Sequence, residues 1–129
     1  MKEPIWVRRE VVDAMHPVLL AEHGGAPGIR EKKVLESALA RPRQIFAYTK
    51  CDLAQLATAY VAGIVRNHPF VDGNKRTGFM TGYVFLERNR LRLTASEAEA
   101  AQAVLELAAG TVDEAGFAAF LHDHVKRVR

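Results

Sequence analysis

Residues 68–79 read HPFVDGNKRTGF. From His68 to Arg76 this stretch sets a histidine, an acid, a Gly-Asn pair, a lysine and an arginine within nine positions. The segments on either side have the periodicity of apolar helices. A polar cluster between two core helices is what the rest of the sequence has to explain.

On the N-terminal side, Leu53, Leu56, Ala57, Tyr60, Val61, Ile64 and Val65 fall on one stripe, which predicts a helix over residues 52–67. Asp52 is placed to cap its start. Pro69 disfavours helical geometry for His68, so the helix ends at Asn67–His68. On the C-terminal side, residues 75–89 are apolar nearly all round through Phe79, Met80, Tyr83, Val84, Phe85 and Leu86. That pattern predicts a central, buried helix.

Farther out, residues 8–22 carry Val11, Val12, Met15, Val18 and Leu19 at helical spacing, with Pro17 expected to kink or break the run. GGAPG at 24–28 is a turn. A short helix over 31–40, with Val34, Leu35, Ala38 and Leu39 inward, is expected to stop at Pro42 and give way to a loop holding Phe46 and Tyr48. Two helices close the chain. One spans 96–109 with Ala101, Val104, Leu105 and Ala108 inward, the other 113–126 with Phe117, Phe120, Leu121 and Val125 inward. Leu91 and Leu93 mark a brief extended stretch, for which Ile5-Trp6-Val7 is the expected pairing partner in a small ribbon. The expected fold class is all-α: a compact single domain over residues 1–129, with about six helices and a small β-ribbon or flap.

Composition narrows the classes. A chain of 129 residues, 49% hydrophobic and 26% charged, is long enough to bury a core and shows no disordered or fibrous bias. The formal charge of +3 is spread over short basic clusters such as Arg41–Arg43 and Arg88–Arg92. A helical surface carries such charges as a matter of course, so nucleic acid is not the expected partner. A single cysteine, Cys51, rules out an intramolecular disulfide and suits a reducing compartment. No apolar run approaches the ~18 residues of a membrane span, and MKEPIWVRRE lacks the apolar segment of a signal peptide. The expected location is cytoplasmic, with no membrane partner.

The central loop delivers backbone into a helix N-terminus, where unpaired N–H groups and the positive end of the dipole gather. Gly73 permits a tight turn and a close approach by a ligand. Asn74, Lys75 and Arg76 add donors at the same end, so the loop can cradle an anion such as phosphate. Asp72 is a hard oxygen ligand that can share Mg²⁺ with such phosphates. His68 can exchange a proton near neutral pH, and Phe70 between them is expected to point inward and pin the loop. Together these groups suit transfer of a phosphorus-containing group to a hydroxyl. An Asp-Gly-Asn run is also an ordinary turn, and a histidine before proline an ordinary loop residue. The chemistry of the residues alone leaves both readings open.

HPFVDGNKRT resembles the signature of the Fic/Doc family, which in the Fic branch runs His-x-Phe-x-Asp/Glu-Gly-Asn-Gly-Arg-x-x-Arg. HGGAPGIREKKVLESALARP (23–42), the helix through Tyr60–Val65, and GYVFLERN (82–89) resemble the Doc, or death-on-curing, branch. The resemblance implies an all-helical fold that uses ATP and Mg²⁺. It implies His68 as the catalytic base, Asp72 as the metal ligand, and Gly73, Asn74, Lys75 and Arg76 as the phosphate-binding residues. A flap that aligns the target peptide would lie around Gly24–Arg30.

Two positions depart from the Fic branch: Lys75 stands where it has glycine, and Phe79 where it has a second arginine. Both departures resemble Doc, whose members are associated with a reversed nucleotide pose and transfer of the γ-phosphate. The implied activity is phosphorylation of a Thr or Ser hydroxyl of a protein, with elongation factor Tu as first candidate. The chain lacks the Ser/Thr-x-x-x-Glu spacing of an inhibitory helix. The implied regulator is instead a separate antitoxin with a disordered tail. Two alternatives stand beside this reading, a protein AMP-transferase and a non-catalytic binding module.

His122 and His124, two residues apart, would point away from each other on a helix and are read as surface or packing residues. Tyr83 and Trp6 are read as core, Arg66 as solvated, and Thr77 as a cap of the helix that follows the loop. His16 and His23 have no partner that the sequence can name.

Overall fold

The computed structural model describes residues 1–128. Its centre is α3 (Leu53–Asn67), which is buried on every side from Leu56 to Val65. A capping box starts it: the Asp52 side chain accepts from the Gln55 N–H, and the Gln55 side chain accepts from the Asp52 N–H, both at 2.8 Å. Around it lie α1 (Arg9–His23), α2 (Lys32–Tyr48), α4 (Asn74–Arg88), α5 (Glu97–Ala109) and α6 (Glu114–Asp123). Among the described residues, six helices and one two-stranded ribbon bear out the all-α expectation.

The sequence reading made α4 the central helix, but α3 holds that position. The reason is in the small residues of α4. Thr77, Gly78, Thr81 and Gly82 lie on its buried face with Asn74, Phe85 and Leu86, and the two glycines let the backbones of the two helices approach closely. A Cβ at Gly82 would lie 2.5 Å from Val61 Cγ2, and one at Gly78 2.7 Å from Val65 Cγ2. Phe79, Met80, Tyr83 and Val84, four of the apolar residues expected inside, are left half-buried.

Neither proline ends its helix. Pro17 lies inside α1 on an exposed face. The Asp13 carbonyl that loses its helical partner there belongs to an exposed residue that water reaches. Pro42 lies inside α2 and is buried, so the helix runs on to Tyr48 and carries Phe46 within it. Packing overrides the local preference here. Pro42 adds to the core, Phe46 meets Trp6 edge-on at 5.7 Å, and the Ala38 carbonyl freed by Pro42 lies over Gly63.

Two inward faces are rotated from their expected positions. In α1 the buried residues are Val12, His16 and Leu20, while Val18 is 57% exposed. In α5 they are Ala100, Ala103, Val104 and Leu107, while Ala101 and Leu105 face outward. An alanine-rich helix gives its stripe little contrast in sequence.

The ribbon also has a different partner. β1 (Leu91–Leu93) pairs antiparallel with β2 (Val125–Arg127), Leu93 opposite Val125. Val125 therefore belongs to the ribbon, and α6 stops at Asp123. Ile5-Trp6-Val7 is held by side chains instead. Asn89 exchanges two hydrogen bonds with the Ile5 backbone, the Tyr60 hydroxyl accepts from the Val7 N–H at 3.0 Å, and Trp6 is buried against Phe85.

Candidate active site

The stretch 68–74 turns between α3 and α4 at the mouth of a groove of about 990 Å³. His68 is the C-cap of α3 in the left-handed conformation, with φ of 51°. A non-glycine residue is strained there and stays only when its surroundings fix it. Arg30 supplies that fixation. Its Nε donates to the His68 carbonyl at 2.7 Å and its Nη2 to the Asn67 carbonyl at 3.0 Å. Both carbonyls end α3, so the guanidinium also neutralises the negative end of that helix dipole. The His68 imidazole is exposed and lines the groove.

The segment Gly24–Arg30 lies along the loop. The Val71 N–H donates to the Gly28 carbonyl, the Arg30 N–H donates to the Pro69 carbonyl, and Ile29 and Phe70 form a single antiparallel bridge. Asp72 is reached from the same side, where the Ala26 N–H donates to Oδ2 at 2.7 Å. That bond fixes the carboxylate and leaves Oδ1 available to a cation. Among the described residues no three His, Cys, Asp or Glu side chains gather as a metal site of their own. A cation at Asp72 would therefore take its remaining ligands from water or from a bound phosphate, which is the usual habit of Mg²⁺.

Gly73, with φ of 76°, is the N-cap of α4, and no side chain caps the helix. The first helical bond runs from the Thr77 N–H to the Gly73 carbonyl. The N–H groups of Asn74, Lys75 and Arg76 are therefore open at the helix start. Lys75 and Arg76 are exposed beside them and line the groove. The arrangement can hold an anion and brings His68, Asp72, Lys75 and Arg76 to one rim.

Asn74 is placed differently from the sequence reading. It is buried, its Oδ1 accepts from the Phe70 N–H and its Nδ2 donates to the Phe70 carbonyl, both at 3.0 Å. The side chain holds the loop, and what Asn74 offers the rim is its backbone N–H. Thr77 does not cap either, since it is fully buried and its Oγ1 has no hydrogen-bond partner among the described residues. Phe70 is buried as expected. Arg66 is exposed and is not part of the groove wall.

The family model described as Fic/DOC family matches residues 6–86, from the N-terminal segment through nearly all of α4. The chain belongs to the Fic/DOC family. It is 31% identical over 85 residues to "Protein kinase doc" of Escherichia phage P1, across 65% of this chain and 68% of that protein. It is 37% identical over 76 residues to "Toxin Doc" of Mycolicibacterium smegmatis, across 56% of this chain and 57% of that one. These relatives place it in the Doc branch of the Fic/DOC family, as the Lys75 and Phe79 departures imply.

Within this Fic/DOC chain several residues at the site escape a reading of the motif. Phe79 is half-buried, leans on Tyr83 with ring centroids 6.2 Å apart, and forms groove wall with Met80 and Leu105. Where the Fic branch has its second arginine, this chain presents an apolar surface. Tyr83, read as core, belongs to the same wall. His16, Ala26 and Arg30 reach the loop from α1 and from the segment after it. Only the family's flap gave any hint of Ala26 and Arg30. His16, for which the sequence names no partner, is buried on the inner face of α1.

Proposed function

We propose that this protein is a Doc-type toxin that transfers the γ-phosphate of ATP to a Thr or Ser hydroxyl of a target protein. One observation carries the reading: an uncapped helix start, flanked by Lys75 and Arg76, opens on the same groove rim as His68 and Asp72. A helix that served structure alone would not favour two cations in its first turn. A polyanionic substrate compensates them.

In this reading the triphosphate rests on the open N–H groups of Asn74, Lys75 and Arg76, with Gly73 allowing its approach and the two cationic side chains flanking it. Asp72 would hold Mg²⁺ through Oδ1, and the ion would supply charge neutralisation among the phosphates. His68 takes the proton of the target hydroxyl as that oxygen bonds to the γ-phosphorus. The bond from the γ-phosphorus to the bridging oxygen breaks, and ADP leaves with the electron pair. Lys75 and the apolar Phe79 support the γ-phosphate as the group facing His68, because the arrangement of positive charge selects the phosphorus that is stabilised in transfer. The extended segment at Ile29, bridged to Phe70, is suited to steady the target peptide. Elongation factor Tu is the first candidate target, which would place the reaction in the cytoplasm. A separate antitoxin with a disordered tail would restrain it.

The test uses purified protein, Mg²⁺, and either a bacterial lysate or purified elongation factor Tu, with ATP labelled at the α or the γ phosphorus. The expected result is γ label on protein, absent with His68→Ala. Label from the α position would overturn kinase activity in favour of AMP transfer. No label from either position, with folded protein and both target sources, would leave a binding module.

A further inference from the structure

We propose that His16 is a positioning residue for the transfer reaction, fixing Asp72 and Gly73 from below without touching a reactant. The inference rests on the function proposed above. His16 is 5% exposed on the inner face of α1. Its Nε2 lies 2.8 Å from the Asp72 carbonyl oxygen. A carbonyl only accepts, so Nε2 carries the hydrogen and donates it. The ring lies nearly parallel to Phe70 at 3.9 Å between centroids, with 17° between planes. It also lies under Gly73, where an added Cβ would be 3.6 Å from Nε2.

These three contacts act on the loop at alternate sides of Val71. One ring supports Phe70, bonds Asp72 and limits the space at the α4 cap. Ala26 holds the Asp72 carboxylate and Asn74 holds Phe70, but neither fixes the Asp72 peptide plane. The direction of that plane sets where the Asp72 side chain leaves the backbone and how the peptide enters Gly73. Small errors in such placement cost a transfer reaction far more than they cost folding.

A histidine that only filled core space would be replaceable by an apolar residue of similar size. A positioning residue requires its donor. His16→Leu keeps the bulk and removes the donor, whereas His16→Gln keeps an N–H donor at comparable reach. The test pairs hydrogen–deuterium exchange of the free protein with γ-phosphate transfer kinetics. In His16→Leu the hydrogen-bonded Phe70, Val71 and Thr77 amides of the loop and the α4 cap are expected to exchange about tenfold faster, and kcat/KM to fall at least about tenfold, with His16→Gln restoring most of both. Unchanged exchange and transfer in His16→Leu would overturn the proposal. So would equal impairment of the Leu and Gln variants. If the wild type transfers no label, the proposed function fails, and the exchange pattern alone decides whether His16 holds the loop.

Discussion

Asn74 and Phe70 are joined at both ends of one amide, Oδ1 receiving the Phe70 N–H and Nδ2 giving to the Phe70 carbonyl, each at 3.0 Å. Both residues are buried, so neither bond has water as a substitute. The pair closes the loop on itself and sets the approach of backbone to Gly73. Asn74→Ala leaves a buried donor and a buried acceptor unpaired, at about 1–3 kcal/mol each. The expected outcome is a loss of about 2–6 kcal/mol in urea unfolding, with transfer activity lost in the folded fraction as well. Stability within about 0.5 kcal/mol of wild type would show that the bonds are replaceable.

Arg30 presents the opposite balance. Its guanidinium is about half exposed and also pairs with Glu31 at 2.7 Å. Exposed ion pairs contribute little to stability, so Arg30→Ala is expected to cost under about 1 kcal/mol. Its bond to the His68 carbonyl nevertheless holds a strained residue at the rim. In the proposed reaction activity is expected to fall about tenfold or more, because a displaced His68 would no longer meet the target hydroxyl. Steady-state kinetics beside a thermal melt separates the two. A variant that melts early and turns over normally would contradict the assignment.

What sequence revealed was what is written locally. The capping box at Asp52, the end of α3 before Pro69 and the turn at Gly73 each rest on neighbouring residues, and each is present. The loop motif places four groups on one rim because nine consecutive residues leave them little freedom. Long-range choices were not legible. Strands of three residues have almost no pairing specificity, so Ile5-Trp6-Val7 is the partner expected for Leu91–Leu93, and Val125, which pairs there, is expected in the last helix. Pro42 stays helical because of what α2 packs against, and no rule about proline contains that. His16 interrupts an apolar stripe, and the residue it meets, Asp72, lies 56 positions later in the chain.

The closeness of α3 and α4 can be tested at two glycines with opposite surroundings. Gly82 faces Val61 Cγ2, 2.5 Å from where a Cβ would stand, and the Ala57 carbonyl at 3.2 Å. In an exposed helix, Gly→Ala would gain up to about 1 kcal/mol. Here overpacking costs about 1–3 kcal/mol and reverses the sign. Gly110 has φ of 80° with nothing within 4 Å of an added Cβ. Gly110→Ala should therefore cost only the left-handed backbone term of about 1–2 kcal/mol. Chemical denaturation of both variants reads the difference, and a transfer assay should show reduced transfer for Gly82→Ala alone, since α4 carries the rim. A stabilised Gly82→Ala would mean that the helices are farther apart than 2.5 Å implies.

Tyr60 gives the fold a pH dependence of known sign. The phenol is fully buried, and burial holds its pKa above the usual 10.0, although the Val7 N–H it accepts and the Arg43 charge both pull the other way. The folded state thus keeps the proton at pH values where the unfolded chain gives it up. Between the two pKa values the unfolded state binds fewer protons, so stability falls as pH rises. The contribution is complete below about pH 10 and declines from there upward toward the folded pKa. Tyr60→Phe removes this decline but leaves the buried Val7 N–H without its acceptor, at about 1–3 kcal/mol near neutral pH. Unfolding free energies of the two proteins from pH 7 to 11 should therefore converge on the alkaline side. Parallel curves would show that Tyr60 ionises as readily folded as unfolded.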